Sequence, residues 1–571
     1  MWHGSAFPLA WLRQSHQRLC LCRLSRLSPQ RTIRLSYAHQ TSTRQVSTRA
    51  MATASDEQKA PLEERTVAGS FLFKIPNGDD KQAKVALFRR SSKVRTYQHK
   101  LAPCSGSVEE SDASPLDAAL REIREETTLP ASSLDLLRVG KPYSFVDESI
   151  GRKWNINPFA FRLKDVAEGG KGEEGITLDW EHEGIEWFDP LQVSGSEEFG
   201  GVPRLIDSLR RVWPEYDLGS DAGRILTEGL QRLRDDREHG ARELAGVAVL
   251  TLRDVVRQML LSHAVDESSW AKVRMAAWHL CQARPAMGAA ITTAILKALD
   301  AIKAAYVSDM VPANKAEQVI QALEQQLAHR NATTDRICQT FSKFIRDLLP
   351  RGENPEYTLS ILTLSSSSTM SSCLSHAIST VNIKFDLRIL ESRPLFEGVT
   401  FASRILKDSS QHSNFKVTLY SDASAALAAE NTALILLGAD RISSAGDVNN
   451  KIGSFSMVLS ANCAAPDAFV AVLSDTEKIA GPGAMEEHSA EENSHVELSS
   501  TWKGAVEGAQ VIEDALSRDD PRIAVKNAYF EWVPAEFVDF YLTEEGDWLE
   551  QQVQQRSQWI GYEFDQYFNG L

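Results

Sequence analysis

Apolar residues follow three successive rhythms along this chain. From about Thr66 to Tyr216, short apolar runs alternate with helical stretches: Val67 to Phe73, Lys84 to Phe88 and Phe159 to Leu163 read as strands, the last opened by Pro158. Between them Leu116, Ala119, Leu120 and Ile123 recur at helical spacing. Their helix has a marked start, because Ser114 suits the cap, Pro115 the first turn, and Asp117 completes a capping-box-like pattern. From Glu243 to Tyr306 the period is helical, with Leu252, Val255, Val256, Met259 and Leu260 on one stripe, and Ala313 to Leu349 is a further amphipathic stretch. After Pro355 the period changes again. Tyr357 to Leu364, Phe385 to Leu390, Phe415 to Tyr420, Ala433 to Leu437 and Ala468 to Leu473 are short apolar runs separated by helical ones, the rhythm of a parallel sheet. The expected fold class is α/β: an α/β/α unit over residues 61–220, then, over 240–571, a helical subdomain and a Rossmann-like doubly wound parallel sheet.

Residues 1–60 stand apart from this pattern as a leader. The first fifty include Arg13, Arg18, Arg23, Arg26, Arg31, Arg34, Arg44 and Arg49, many serines and no Asp or Glu, the composition of a mitochondrial transit peptide. Met51 then opens a polar stretch that reads as a second start, so a mitochondrial long form and a cytoplasmic short form are expected. Over 571 residues, 62 basic against 77 acidic side chains leave a net charge of −15, which argues against a broad nucleic-acid surface. No apolar run reaches the ~18 residues that span a bilayer. The seven cysteines form neither a disulfide framework nor a zinc spacing.

Charge changes the picture most at Arg121-Glu122-Ile123-Arg124-Glu125-Glu126, where a helix sets Glu122, Glu125 and Glu126 on one face at i, i+3 and i+4. Three carboxylates so placed suit a hard divalent cation. Arg121 and Glu125, at i, i+4, equally suit a salt-bridged surface helix. Upstream, Pro103 to Glu110 is a turn-rich loop containing Gly106. Loop and helix together resemble the Nudix hydrolase signature, with Gly106 as the opening glycine and Asp112 as the following acid. One extra residue separates that acid from Arg121, and Thr128 stands where the family usually has glycine. The resemblance implies that Glu122, Glu125 and Glu126 bind Mg²⁺ or Mn²⁺, that Arg121 orients a carboxylate, and that the substrate is a nucleoside diphosphate derivative. Glu181 or Glu183 is the candidate base. Arg89, Arg90, Lys93, Arg95 and Lys100 either meet substrate phosphates or form a solvated hairpin end.

In the second unit the residues that follow successive strands are polar: Ser365 to Ser368, Glu391-Ser392-Arg393, Asp422, and Gly438-Ala439-Asp440. Such residues gather along one carboxyl edge of a doubly wound sheet, where ligands bind. Asn450 and Lys451 add an amide and a cation suited to phosphate, and Arg284 a second cation. The ordered motifs Glu391 to Gly398, Gly438 to Arg441, Gly446 to Gly453 and Asn527 to Pro534 resemble the family joining the alpha, beta and delta subunits of translation initiation factor 2B with methylthioribose-1-phosphate and ribose-1,5-bisphosphate isomerases. The resemblance implies a catalytic aspartate at Asp440. The isomerases' cysteine falls at Ser365, a far weaker acid than a thiol. Cys373, further along the next helix, reads as a buried structural thiol. Arg284, Arg393, Asn450 and Lys451 are implied to hold a sugar phosphate, and the chain to form homo-oligomers or to join translation-factor-like subunits. The reading is a Mg²⁺-dependent hydrolase fused to a phospho-ligand-binding domain. The alternatives are a translation-initiation regulator with a degenerate first domain, and a sugar-phosphate isomerase using Ser365 and Asp440.

Overall fold

The computed structural model describes residues 62–76, 82–236, 240–284, 288–307, 312–350, 352–483, 493–518 and 520–571. The leader and its two proposed starts lie outside them.

The first unit is built on one mixed sheet. Its strands are β1 (Glu63–Lys74), β2 (Lys84–Arg90), β3 (Leu101–Ala102), β4 (Cys104–Ser107), β5 (Leu134–Val139), β6 (Tyr143–Asp147), β7 (Arg152–Leu163) and β8 (His182–Phe188). They run in the order β3-β2-β1-β7-β5, with β4 on β1, β6 on β7 and β8 on β2. Helix α1 (Pro115–Thr127) buries Ala118, Ala119 and Ile123 against Leu72, Phe88 and Phe161 on one face. Phe71, Phe73, Leu87 and Ala160 point to the other face, where α2 (Leu205–Val212) seats Leu205, Leu209 and Val212. The two-residue alternation of strand side chains therefore makes an α/β/α sandwich.

Two local expectations change. Pro158 lies inside β7 rather than at its start, opposite Gly69 of β1. On the other side of β7 it falls between the stretches paired to β6 and β5, so its missing N–H costs no ladder bond there, while its carbonyl accepts from Gly140. Cys104 to Ser107, read as loop, is a short strand because β1 supplies its hydrogen bonds, with Gly106 opposite Ala68.

The second unit opens with helices α3 (Glu215–Asp235), α4 (Ala241–Met259), α5 (Glu267–Gln282), α6 (Gly288–Val307), α7 (Pro312–Asn331) and α8 (Thr333–Leu348). There follow β9 (Thr358–Thr363), α9 (Ser368–Thr380), β10 (Lys384–Leu390), α10 (Glu397–Asp408), β11 (Phe415–Tyr420), α11 (Ala425–Ala429), β12 (Leu434–Leu437), β13 (Arg441–Ile442), β14 (Val448–Lys451), α12 (Ser454–Ala464) and β15 (Phe469–Leu473). The chain ends with α13 (Val496–Ser499), α14 (Ala509–Leu516), β16 (Phe530–Val533), β17 (Phe540–Thr543), β18 (Gly546–Trp548) and α15 (Glu550–Phe568). The large sheet has the order β11-β10-β9-β12-β15-β17-β18, parallel throughout except for the final hairpin. Chain direction across the sheet reverses between β9 and β12, which makes their carboxyl ends the topological switch point. Ile361, Ile389 and Leu436 face α8 and α9, and Leu362, Leu437 and Val472 face the helical layer of α4 to α6.

The two units meet along α2, α3 and α5. Arg211 reaches the Leu571 carbonyl at 2.9 Å, Arg138 reaches Thr227 at 2.9 Å, and Arg234 the Leu137 carbonyl at 2.7 Å. His279 lies at this seam, 3% exposed. Burial, and then the Arg138 charge, hold its pKa well below the ordinary 6.5, opposed by a hydrogen bond with the Arg211 backbone. The folded protein thus keeps His279 neutral while the unfolded chain takes up a proton below about 6.5. Its contribution is present above that value and lost as pH falls towards the folded pKa, at about 1.4 kcal/mol per unit. Between pH 7 and pH 5.5 the parent should lose more urea stability than His279→Gln by roughly 1–2 kcal/mol; equal losses would remove His279 as the acid-labile group.

Candidate functional site

Ser114 caps α1 by accepting from the Asp117 N–H, and Pro115 occupies the first turn, so the helix start fixes the phase of every acid that follows. The helix ends on Thr128 in the left-handed region, φ 63°, a conformation that glycine adopts without strain and a β-branched residue does not. Arg121 is the hub of the acid face. It donates to Asp112 at 2.9 and 3.1 Å, to Glu122 at 2.7 Å, to Glu125 at 3.2 Å and to the Ser107 carbonyl at 3.0 Å. Gly106 lies directly under Glu122: a Cβ there would stand 2.0 Å from the carboxylate carbon, so only glycine lets that side chain lie on β4.

The three glutamates differ sharply in setting. Glu126 is 4% exposed at its side chain, Glu122 14% and Glu125 58%. Burial first, then the Glu122 charge, push the Glu126 pKa well above the ordinary range, and Ser105 donates its N–H to Oε1 at 3.3 Å. Burial also raises Glu122, with Arg121 opposing and Glu125 and Glu181 adding to the rise. Glu181 is raised by burial and by Asp179. Of the two candidate bases, Glu181 lines the cavity beside Glu122 and Glu125, whereas Glu183 pairs with His99 at 3.2 Å and accepts from Ser92 at 3.0 Å. That cavity holds about 610 Å³.

The expected trio of metal ligands is not gathered as a set: among the described residues no group of three His, Cys, Asp or Glu side chains stands ready to hold a metal. Arg121 contributes to this, since one of its guanidinium nitrogens is bonded to both Glu122 and Glu125. The residues nonetheless fit a divalent cation. Glu126 Oε2 is buried with no hydrogen-bond partner among the described residues, and Glu122 and Glu181 each raise the carboxyl's pKa by their charge, a repulsion that a cation reverses.

At the switch point of the second unit, Ser365 (φ 71°) donates its N–H to Ser392 Oγ at 2.8 Å. Asp422 accepts from the N–H groups of Ser392 and Arg393 at 2.9 and 2.8 Å. Asp440 donates its N–H to the Asn449 carbonyl at 2.9 Å. Asn450 lies by Gly438 and donates to Ser454 at 2.9 Å. The Arg393 side chain turns to Thr501, 3.0 Å away. Lys451 is buried and already neutralised: it donates to Glu397 at 2.7 Å and stands 4.5 Å from the Tyr529 ring centroid. Glu397 and Tyr529 were not singled out by sequence, although both belong to the motifs that carry the resemblance. Arg284 donates to the Asp236 carbonyl, one residue past α3, while Asn450 and Lys451 lie on β14, the middle strand of a separate three-stranded sheet of order β13-β14-β16. Cys373 is buried with its sulfur 3.4 Å from that of Cys338, inside the core between α8 and α9.

Comparison with known proteins follows the same division. Residues 237–549 match the Initiation factor 2 subunit family and residues 72–211 match the NUDIX domain. The methylthioribose-1-phosphate isomerase of Vitis vinifera is 25% identical over 331 residues, covering 56% of this chain and 82% of that protein. Its namesake in Neurospora crassa is 29% identical over 170 residues, 27% of this chain and 42% of that protein. The crystal structure of eIF2B beta from Chaetomium thermophilum aligns over 63% of this chain and 96% of its own, with TM-score 0.42 and 15% identity. No helix among the described residues is long and apolar enough to cross a membrane.

Proposed function

Since the chain belongs to the Initiation factor 2 subunit family and carries a NUDIX domain ahead of that region, we propose that the first unit is a Mg²⁺-dependent hydrolase of nucleoside diphosphate derivatives and the second a ligand-binding or assembly domain. The observation that carries the first half is the buried Glu126 carboxylate, whose Oε2 has no hydrogen-bond partner among the described residues, one helical turn beyond Glu122, which lines the cavity together with Glu125 and Glu181. Glu122 and Glu126 would hold the cation, with Glu125 joining once Arg121 releases it. A cation held there supplies charge neutralisation for a diphosphate and a more acidic water. Glu181, whose pKa burial raises, is suited to take the proton of an attacking water. Arg121 holds Glu122 in place through the Asp112 anchor, and Gly106 leaves that carboxylate its room.

For the second unit, the isomerase reading loses support at two points. A serine replaces the thiol at position 365, and Lys451 of β14 is paired with Glu397. Binding without turnover, or association with like subunits, fits these residues better. A screen of nucleoside diphosphate derivatives with Mg²⁺, comparing the parent with Glu122→Gln, tests the hydrolase. Products should form with the parent and fall by at least about a hundredfold in the variant. No cleavage of any nucleoside diphosphate derivative by the parent would refute the assignment.

A further inference from the structure

The acids occupy only one end of their cavity. Its floor is one face of the sheet, with Arg65, Val67 and Gly69 of β1 beside Trp154 and Ile156 of β7. Gly106 on β4, under Glu122, pairs with β1, which pairs with β7, which pairs with β6. Gly106 is in register with Asn157 of β7, so at roughly 4.8 Å per strand and 3.3 Å per residue Trp154 stands about 10 Å across the sheet and about 10 Å along it from the acid end, and Phe145 one strand further. Phe145 lies directly opposite Trp154 in the ladder, and Tyr97 comes in from the 91–100 loop with its ring centroid 6.3 Å from that of Trp154. The Tyr97 ring is fixed in place, for its hydroxyl donates to Asp147 at 2.7 Å. The same loop brings Lys93 and Arg95 to the cavity, and neither side chain makes a hydrogen bond or ion pair with any described residue. Two uncommitted cations thus share a cavity with a strip of planar rings and a pole of carboxylates.

We propose that Tyr97, Trp154 and Phe145 form a base-stacking subsite that makes this cavity selective for diphosphates bearing a planar nucleobase, with Lys93 and Arg95 holding the phosphates. This rests on the hydrolase reading for the acid pole, which would meet the diphosphate at its other side. The ribose and diphosphate of a nucleotide together span the gap between strip and pole. Stacking uses ring faces rather than edges, so the subsite accepts any base and prefers purines by their larger area.

Calorimetry of the full chain with ADP and with inorganic pyrophosphate tests the assignment in the absence of turnover. Trp154→Ala should weaken ADP by about tenfold or more while pyrophosphate changes by less than about twofold, and Trp154→Phe should restore most of the ADP affinity. The double variant Lys93→Ala/Arg95→Ala, confined to an exposed loop, should weaken both ligands. Equal weakening of ADP and pyrophosphate by Trp154→Ala, or no ADP binding by the parent, would overturn the proposal. A parent that selects ADP over pyrophosphate yet cleaves no diphosphate would uphold the stacking strip and fault the acids alone.

Discussion

Glu126→Gln should lower Mg²⁺-dependent hydrolysis by about a hundredfold or more and, in the same molecule, raise thermal stability above neutral pH. Both effects come from one buried carboxylate. Its Oε1 is served by the Ser105 N–H, its Oε2 has no hydrogen-bond partner among the described residues, and His182 Nε2 stands 3.8 Å away. Burial and the Glu122 charge raise its pKa well above the ordinary 4.5. The unfolded chain releases this proton near 4.5 while the folded chain keeps it. The stabilising contribution is therefore complete below that value and is lost as pH rises towards the folded pKa, at about 1.4 kcal/mol per unit. Glutamine has the same shape and no proton to lose, but it is neutral and offers a cation one oxygen instead of two. Melting curves without metal should separate little at pH 4 and diverge progressively from pH 5 to pH 8, the variant above the parent. Parallel curves over that range would show that Glu126 carries no such strain.

The acid helix was legible because every device that fixes it is local: a cap at Ser114, a proline in the first turn, and an apolar stripe ending at Ile123. The strands of the second sheet were legible as a rhythm for a related reason, since strands buried on both faces read as continuous apolar runs. Their order was not, because nothing within β9 says that β12, and not β11, lies beside it. The 104–107 strand escaped notice because its partner β1 is more than thirty residues earlier and its own letters, Cys-Ser-Gly-Ser, carry no β pattern. The same limit applies to the sites. Arg121 and the glutamates lie within one hexapeptide, but the pairing that neutralises Lys451 comes from Glu397, which precedes it by 54 residues. Likewise the proposed stacking strip draws on Tyr97, Phe145 and Trp154 from three separate segments, and only the register of β6 on β7 sets two of them opposite each other in the ladder.

Arg330→Met should cost about 3–5 kcal/mol of urea stability, whereas the double replacement Arg330→Met/Glu477→Leu should recover most of it. Arg330 ends α7 and meets Glu477, just past β15, through three contacts of 2.7, 2.9 and 3.1 Å, with both side chains under 10% exposed. Removing the cation alone strands a buried carboxylate beside Asp475, whose own pKa burial already raises. Removing both charges replaces two desolvated ions with apolar volume, which buried pairs commonly tolerate. The turn they hold is also the one that frames the switch point: Thr476 is bonded to Glu544 at 2.6 and 3.0 Å, and Lys478 donates to the Ala439 carbonyl, one residue before Asp440. A single variant within 1 kcal/mol of the parent would mean that the pair is bathed by solvent in practice. A double variant as unstable as the single one would mean instead that the ions, and not the volume, seat the helical layer on the carboxyl edge of the sheet.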